Sequence, residues 1–407
     1  MRKLIAALLL APAAALAGGY AIPNENARDL ALSQANVAGQ DGPEAAHGNP
    51  SALAGQQGLA VSASLEMLYN TTTWSDPTLG SSTLRPKSNW PPELAIAYGN
   101  KLSNGMAYGV GLAFLVPGGG SLIWPQYWQG SARIQEVDQR VWLTELGAGF
   151  QPHPLVKLGA SLLYFRVQET LSQQIYFGSP SSLASLGMAG GAFTYGLSGE
   201  FRAPNDIPLT LAVAYRHQAP MTLNGHAHFD SVPPQFAPVL QDQAVTEAVT
   251  VPNELYIGAA YDVVPNVKVM GSWNLERWVV YNSDTFVGDK GLVISVPRNY
   301  NNAWVYRLGA EYTKPSFLPK LTLRAGILRS ISDQPTDTLS PSLTDGNSWA
   351  FSVGAGYEFV RGLRVDIGYQ FAIFDTVTAT GPDAFPGSYD TKVHLVSGGV
   401  TYRVPGL

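Results

Sequence analysis

The sequence predicts an all-β fold, a transmembrane antiparallel β-barrel of about 14 strands. Three observations lead to it: an N-terminal export signal, a charged fraction of only 14%, and about fourteen segments in which apolar and polar residues alternate. An exported chain without long apolar helices can cross a membrane only as a closed barrel, because an open sheet would leave backbone groups unpaired in lipid.

Residues 1–17 are predicted to form a signal peptide. Arg2 and Lys3 precede an apolar run that extends from Leu4 to Leu16, and Ala17 supplies a small residue at the cleavage position. The run is shorter than the roughly 20 apolar residues of a membrane helix. Because no later stretch of the sequence reaches that length, helical membrane spans are excluded.

Composition narrows the possible functions. Soluble domains carry roughly 25% charged residues, whereas this chain has 14%, together with 11% aromatic residues and 42 glycines. Cysteine is absent, which excludes disulfides and thiolate chemistry, and the formal net charge of −5 argues against a nucleic acid partner. Phosphate-binding, metal-binding and nucleophile motifs are missing, so we expect no cofactor, no metal and no enzymatic activity.

The clearest strand is predicted near the C-terminus, at 363–371. Its two faces differ in polarity: Leu363, Val365, Ile367, Tyr369 and Phe371 share one, and Arg364, Asp366, Gly368 and Gln370 share the other. This period of two is typical of a strand with one face in lipid and one face in the lumen. Similar segments lie roughly at 58–73, 90–100, 105–116, 139–151, 155–176, 189–203, 207–218, 246–262, 266–282, 302–314, 320–331, 347–360, 363–375 and 391–404.

The connections between these segments alternate in length. Short turns rich in Pro, Asn and Gly alternate with longer stretches, the longest at 117–138, 219–245 and 283–301. Bacterial barrels show the same rhythm, with short periplasmic turns and long external loops. A soluble β-sandwich is the alternative fold, but it does not predict this rhythm. Residues 18–57 fit no strand and could be either a periplasmic tail or a plug inside the lumen.

Several stretches resemble the FadL/TodX family of outer-membrane transporters for long-chain fatty acids and other hydrophobic compounds. They follow the family order over nearly the whole chain: Gly48–Ala52, Val251–Leu255, Gly258–Tyr261, Trp273–Trp278, Tyr306–Tyr312, Leu323–Gly326, Ser352–Tyr357 and Gly387–Tyr389. The resemblance implies a barrel over residues 58–407 and a hatch, formed by residues 18–57, that plugs the lumen. It also implies apolar ligand sites inside and a lateral exit where the third strand bends.

The same resemblance implies residence in the bacterial outer membrane as a monomer. The expected partners are hydrophobic small molecules, either fatty acids or hydrocarbons, the outer-membrane lipids and lipopolysaccharide, and the barrel-assembly machinery during insertion. The expected mechanism is passive: a ligand binds in the barrel, the hatch rearranges, and the ligand leaves sideways through the wall. The ligand itself is not determined by the sequence.

The hatch motif is predicted at Asn49, Pro50 and Ser51, with Asn49 bonded to the barrel wall. The family pattern is Asn-Pro-Ala, so Ser51 departs from it. An Asn-Pro pair is otherwise a plain turn. For the carboxylate of a fatty acid, Arg307 and Arg324 are the candidate partners, because a bare buried carboxylate is costly. Structural ion pairs are the alternative role for both arginines.

Two further sites are predicted from glycines and from apolar residues in external connections. Gly109 and Gly111 in the third strand are candidates for the lateral opening, since glycine in a strand marks a bulge or bend. Pro117 and the glycines after it are assigned to the start of a loop. A landing site for apolar ligands is predicted in two connections, at Leu183, Leu186, Met188, Phe236 and Leu240; packing of the loops is the equal alternative.

Three other functions remain as alternatives. A lipid-modifying enzyme would need a nucleophile and base pair near the lipid boundary, which spacing does not reveal. An adhesin would place its function in the external loops alone. A hydrophilic porin would have an open lumen without a plug.

Overall fold

The computed structural model describes residues 26–177, 181–238 and 240–404. The predicted signal peptide, residues 1–17, lies outside them. In this part of the chain, 21 strand segments form one antiparallel sheet. They are β1 (Gly58–Asp76), β2 (Gly80–Thr83), β3 (Ser88–Asn89), β4 (Pro92–Lys101), β5 (Ala107–Ile123), β6 (Glu136–His153), β7 (Val156–Tyr176), β8 (Ser181–Arg202), β9 (Leu209–Arg216), β10 (Ala219–Phe229), β11 (Gln243–Val251), β12 (Glu254–Val264), β13 (Val267–Glu276), β14 (Ser283–Gly288), β15 (Val293–Pro297), β16 (Ala303–Thr313), β17 (Leu321–Ile331), β18 (Ser348–Val360), β19 (Leu363–Phe374), β20 (Val377–Thr378) and β21 (Ser388–Arg403).

The sheet closes on itself. β1 pairs with β21 from Ala60↔Arg403 to Ser75↔Ser388, and each wall strand pairs with the next in the chain. Some wall strands consist of two segments: β9 and β10 together form the seventh, and β11 and β12 the eighth. The prediction of a closed antiparallel barrel with 14 wall strands is therefore confirmed.

The long connections are shorter than the sequence suggested. β5 extends to Ile123, β10 begins at Ala219, and β14 and β15 form a hairpin inside the predicted loop 283–301. These extensions lie above the lipid band, where the outward-facing side chains no longer contact lipid and need not be apolar. Strict alternation therefore ends before the strand does.

The outer face of the lower wall is apolar. Leu94, Phe193 and Ile367 are exposed, and each alternates along its strand with smaller or polar residues that face the lumen. This is the polarity that a lipid-facing band requires, since water-exposed groups are confined to the interior.

The segment before the first strand fills the lower lumen. Its helices are α1 (Ala27–Ala31), α2 (Ala45–Gly48) and a 3₁₀ helix at Pro50–Gly55. α1 contacts the strands from β17 to β21 on one side, and the 3₁₀ helix contacts those from β4 to β8 on the other. Among the described residues, no helix combines the length and apolar character that crossing a membrane would require. We call residues 26–57 the hatch.

Candidate functional site

The hatch motif ties the plug together rather than to the wall. The Asn49 side chain is fully buried, donates through Nδ2 to the Val37 carbonyl (2.9 Å) and accepts from the Ser51 hydroxyl (2.6 Å). As the N-cap of the 3₁₀ helix that begins at Pro50, it also accepts from the Ser51 backbone. The prediction that Asn49 bonds to the wall is wrong. That contact is made by the Ser51 N–H, which donates to Ser198 Oγ (2.8 Å).

A row of paired glycines makes room for the 3₁₀ helix. Gly99 pairs with Gly109, Gly109 with Gly149, and Gly149 with Gly159, across four neighbouring strands. A Cβ on Gly149 would lie 2.6 Å from the Pro50 carbonyl oxygen, and a Cβ on Gly109 would collide with the Leu53 carbonyl. The hatch backbone therefore lies directly against the wall backbone.

Buried ion pairs fasten one side of the hatch to the wall. Arg28 of α1 contacts Glu311 (3.2 Å), and Arg324 contacts the same carboxylate (2.7 Å) as well as Asp366 (2.7 Å). Asp366 also contacts Arg364 (2.8 Å). These side chains form one network in which every charge has an opposite charge beside it, as burial requires.

A second set of polar contacts fastens the other side. His47 of α2 bonds through Nδ1 to Glu145 (2.8 Å), and Arg216 donates to the His47 carbonyl (2.8 Å). Arg216 also pairs with Glu254 (2.9 Å). Because both sides of the hatch are held by buried polar groups, displacing it requires several charge-assisted bonds to break together.

Above the hatch lies a cavity of about 170 Å³, which we call the luminal cavity. A water molecule needs roughly 10–15 Å³ in such a measure, so the space exceeds one water many times over. Its lining is mixed. The apolar members are Leu68, Leu122, Ala303, Val305, Leu328, Leu343, Ala350, Ala372, Phe374, Val393 and Leu395, and a similar number of polar residues includes Asn70, Glu276, Arg307, Asp345 and Gln370.

The two candidate arginines differ in their surroundings. Arg307 lines the luminal cavity, is 7% exposed, bonds to Asn274 through Nη1 and has no partner at Nε. Arg324 is held by Glu311 and Asp366 beside the hatch and is not part of the cavity lining. Arg324 therefore has the structural role that was its alternative, and the ligand-binding role of Arg307 stays a prediction.

The wall is interrupted beside this cavity. β4 and β5 pair only as far as Leu94↔Phe114, while β5 continues along β6 to Ile123 with a register shift between Leu115 and Gly118. In the described chain, the next backbone bond across this gap is from Arg85 N to Ile123 O (2.7 Å). Gly119 has φ +125°, which favours glycine.

The lateral opening was predicted at Gly109 and Gly111, which do not border this interruption. Gly109 and Gly111 are paired with both neighbouring strands, and their missing side chains admit the hatch. The bend lies at Val116 and Pro117, where the extra residues of the bulge stand. Pro117 was the available signal, because proline within a paired strand is confined to edges and bulges.

The predicted landing site is only partly assembled. Leu183, Leu186 and Met188 lie on β8 and not in a loop, and alternation places Leu183 on the opposite face from the other two. Leu186 lines an apolar cavity of about 40 Å³ with Phe229, Leu292 and Ile294. Phe236 and Leu240 belong to the cluster that shares those residues, whereas Met188 packs in the main core.

Sequence reasoning missed two acidic residues of the luminal cavity, Glu276 and Asp345. Asp345 belongs to the connection between β17 and β18, which folds inward so that Leu339 and Leu343 are buried. Burial, reinforced by the negative charge of Glu276, raises the pKa of Asp345 to about 7. No local pattern distinguishes an inward loop from an outward one.

The family model described as outer membrane protein transport protein (OMPP1/FadL/TodX) matches residues 8–404. The chain belongs to this family. As a FadL/TodX protein it is an outer-membrane β-barrel that transports hydrophobic compounds. The resemblance seen in the sequence is confirmed. No curated protein sequence matches the chain significantly.

Solved structures show the same fold. A Pseudomonas aeruginosa FadL homologue is 17% identical, with a TM-score of 0.83 over 95% of this chain and 99% of its own. The CymD monoaromatic hydrocarbon channel is 14% identical, with a TM-score of 0.71 over 95% and 99%. The Ralstonia pickettii toluene transporter TbuX is 15% identical, with a TM-score of 0.69 over 94% and 99%. At such identities the likeness concerns the fold alone.

Proposed function

We propose that this FadL/TodX protein carries long-chain fatty acids passively across the outer membrane, with Arg307 binding the carboxylate and the luminal cavity holding part of the acyl chain. One observation supports it above the others. Arg307 is a buried cation that lines the luminal cavity and keeps Nε without a partner. An arginine in this state is matched by an anionic group on the ligand.

The other buried arginines differ from Arg307 in having carboxylate partners, although Arg298 and Arg324 also keep one Nη each without a hydrogen-bond partner. Arg28, Arg298 and Arg324 are buried in the described chain, and each has a carboxylate within ion-pair distance. Arg307 has none within that distance among the described residues. Its position suits an amphiphile, since Asn274 holds the guanidinium and Val305 contributes an apolar side chain to the same cavity.

The aliphatic lining supplies affinity for the chain. Each buried methylene contributes roughly 0.8 kcal/mol, so a few methylenes in contact with Leu328, Leu343 and Leu395 hold a ligand without further polar contacts. A hydrocarbon would gain the same contribution but would leave Arg307 unmatched.

We further infer that the ligand leaves sideways and not through the hatch. Below the luminal cavity lies a smaller one, of about 80 Å³, whose lining includes Asp29, Gln40, His47 and Arg216. An acyl chain in that space would desolvate charges without replacing their bonds. The wall interruption lies closer, since Gly119 and Gly120 of β5 are part of the luminal cavity lining. Hatch movement would then widen the cavity without opening a path to the periplasm.

The test is uptake of a labelled long-chain fatty acid and of toluene by cells that lack their own transporter and express this chain. Arg307→Met keeps the length of the side chain and removes its charge, and Arg307→Lys keeps the charge. We expect Arg307→Met to lower fatty acid uptake at least tenfold relative to Arg307→Lys, with toluene uptake unchanged. Equal fatty acid uptake by both variants would contradict the role of Arg307.

A monoaromatic hydrocarbon is the second candidate ligand, because one similar solved structure is described as a monoaromatic hydrocarbon channel and another as a toluene transporter. Toluene uptake without fatty acid uptake would establish it. We propose no catalytic function. Uptake of neither compound by a correctly inserted barrel would favour an adhesin or a lipid-modifying enzyme instead.

A further inference from the structure

An open groove of about 660 Å³ runs along the outer face of the barrel, above the lipid-facing band. We call it the outer groove. Three strands contribute most of the side chains that reach outward into it: Glu136, Asp138 and Arg140 from β6, Gln168 and Thr170 from β7, and Asn224 and His226 from β10. Its residues have no part in the luminal cavity, and the transport route does not use it.

The floor of the outer groove is made of backbone. A Cβ on Gly187 of β8 would meet no atom within 4 Å, which shows that the space above it is free. A Cβ on Gly225 of β10 would collide with the Gly187 carbonyl. The two strands are therefore as close as glycine permits, and larger residues on either side form the walls.

The groove begins where the aromatic residues of the lipid band end. On β8 the outward residues below it are Phe193, Tyr195 and Leu197, and Phe193 is 68% exposed. The Tyr164 and Phe193 rings lie 4.7 Å apart, just below the groove. Aromatic side chains of this kind mark the headgroup level of a membrane, so the groove starts at the headgroups and extends outward from them.

Two arginines stand at this level. Trp142 of β6 pairs with Arg166 of β7 just below the groove lining, and two residue pairs higher Arg140 stands opposite Gln168 within it. Arg166 is exposed, and no carboxylate of the described chain lies within ion-pair distance of it. Arg140 has Asp138 at 3.3 Å, a carboxylate that Lys87 already neutralises at 2.9 Å. The positive charges of Arg140 and Arg166 are thus not fully neutralised by neighbouring carboxylates. Guanidinium groups bind phosphate in bidentate geometry.

We propose that the outer groove binds the phosphorylated headgroup of an outer-leaflet glycolipid, with Arg140 and Arg166 on the phosphate. The amide groups of Gln168 and Asn224, the Thr170 hydroxyl and the His226 imidazole would then bond to sugar hydroxyls. A lipid fits better than free phosphate because the band at Phe193 and Leu197 continues below the groove and contacts acyl chains. The site depends on residence in the outer membrane and not on the identity of the transported compound.

The test uses the full barrel in detergent micelles with fluorescent lipopolysaccharide as the probe. Arg140→Ala with Arg166→Ala removes the cations, and Gly187→Leu fills the groove, where a side chain has open space. Gly398→Leu is the matched control, because a Cβ there also meets no atom within 4 Å but the residue lies on β21. We expect the first two variants to bind the probe roughly tenfold more weakly, and the control to bind like the parent protein.

Two further arms identify what is bound. Dephosphorylated lipopolysaccharide should bind as weakly to the parent protein as the intact lipid binds to the arginine variant. Inorganic phosphate at millimolar concentration should not displace the intact lipid; displacement would mean that the groove binds phosphate alone. Equal lipid binding by the parent, the arginine variant and Gly187→Leu would overturn the proposal, while fatty acid uptake, measured separately, would be untouched by that result.

Discussion

The lower and upper halves of the lumen are built from the same strands but differ in chemistry. On β16, Glu311 and Gly309 face the hatch, Arg307 stands at the boundary, and Val305 and Ala303 face the luminal cavity. The change therefore takes place within a few inward positions of one strand.

β19 repeats the gradient. Asp366 and Gly368 contact the hatch region, whereas Gln370, Ala372 and Phe374 line the cavity. The lower half is a polar plug whose charges are paired, and the upper half holds a cavity lined by aliphatic and polar side chains together. The residues that hold the plug and the residues that line the cavity therefore lie at different heights along the barrel axis. Arg307 lies at the boundary between them.

The strongest way to break this division is to remove a charge from the plug network. Arg324→Met leaves Glu311 and Asp366 without their shared partner, and breaking a buried pair in this way costs about 3–5 kcal/mol. Urea unfolding of the barrel in detergent would measure the loss. The control is Arg329→Met, which removes a more exposed pair with Asp375 and should cost at most about 1 kcal/mol. Equal losses would mean that the network does not stabilise the lower half.

A substitution in the glycine row should loosen the hatch without touching a charge. The Gly149→Val side chain would meet Pro50, Ser51 and Ala54 of the hatch, and overpacking of this kind costs about 1–3 kcal/mol. We expect higher conductance in planar bilayers as the plug shifts. Gly271→Val is the control, since a Cβ there meets its nearest atom only at 3.6 Å. Unchanged conductance in both variants would show that the row does not position the hatch.

Removing the N-cap of the 3₁₀ helix should destabilise the lower half of the lumen by a smaller amount. Asn49→Ala removes the bonds to Val37 and Ser51, and loss of such a cap costs about 1 kcal/mol. Asn49→Asp retains the acceptor for Ser51 and should lose less. Limited proteolysis of the hatch would rank the three proteins. Faster cleavage of the aspartate variant than of the alanine variant would contradict the capping role of Asn49.

The smallest expected effect concerns pH and the upper half. Burial, with the charge of Glu276, raises the pKa of Asp345 from 3.8 to about 7. Because the acid ionises first in the unfolded chain, its contribution to stability is present below the lower value and is lost as pH rises through the higher one.

The ionised group also repels a fatty acid carboxylate in the cavity. Uptake should therefore fall between pH 6 and pH 8, by roughly fivefold or less, since charges in a partly hydrated cavity repel by about 1 kcal/mol. Asp345→Asn should remove this dependence in uptake assays that include both pH values. A pH profile identical to that of the parent protein would count against Asp345.

The sequence by itself determined the barrel, its order of strands and its family. The strand at 363–371 shows why: alternation is local, and the lipid and the lumen impose opposite demands on successive residues. The pairing of β18 with β19 then follows, because the two-residue turn at 361–362 sets Val360 opposite Leu363. The same pattern also identified the inward face of Arg307 and Arg324 without separating their roles.

Only the tertiary structure decided between those roles. Arg307 and Arg324 both face inward on neighbouring strands, but the hatch lies beside one and the cavity beside the other. Likewise Gly109 and Pro117 lie on one strand, and their roles depend on where the hatch touches and where β4 begins. The heights of the hatch and the cavity along the barrel axis are set by contacts between residues far apart in the chain. A local period of two in the sequence does not depend on those contacts and therefore cannot predict them.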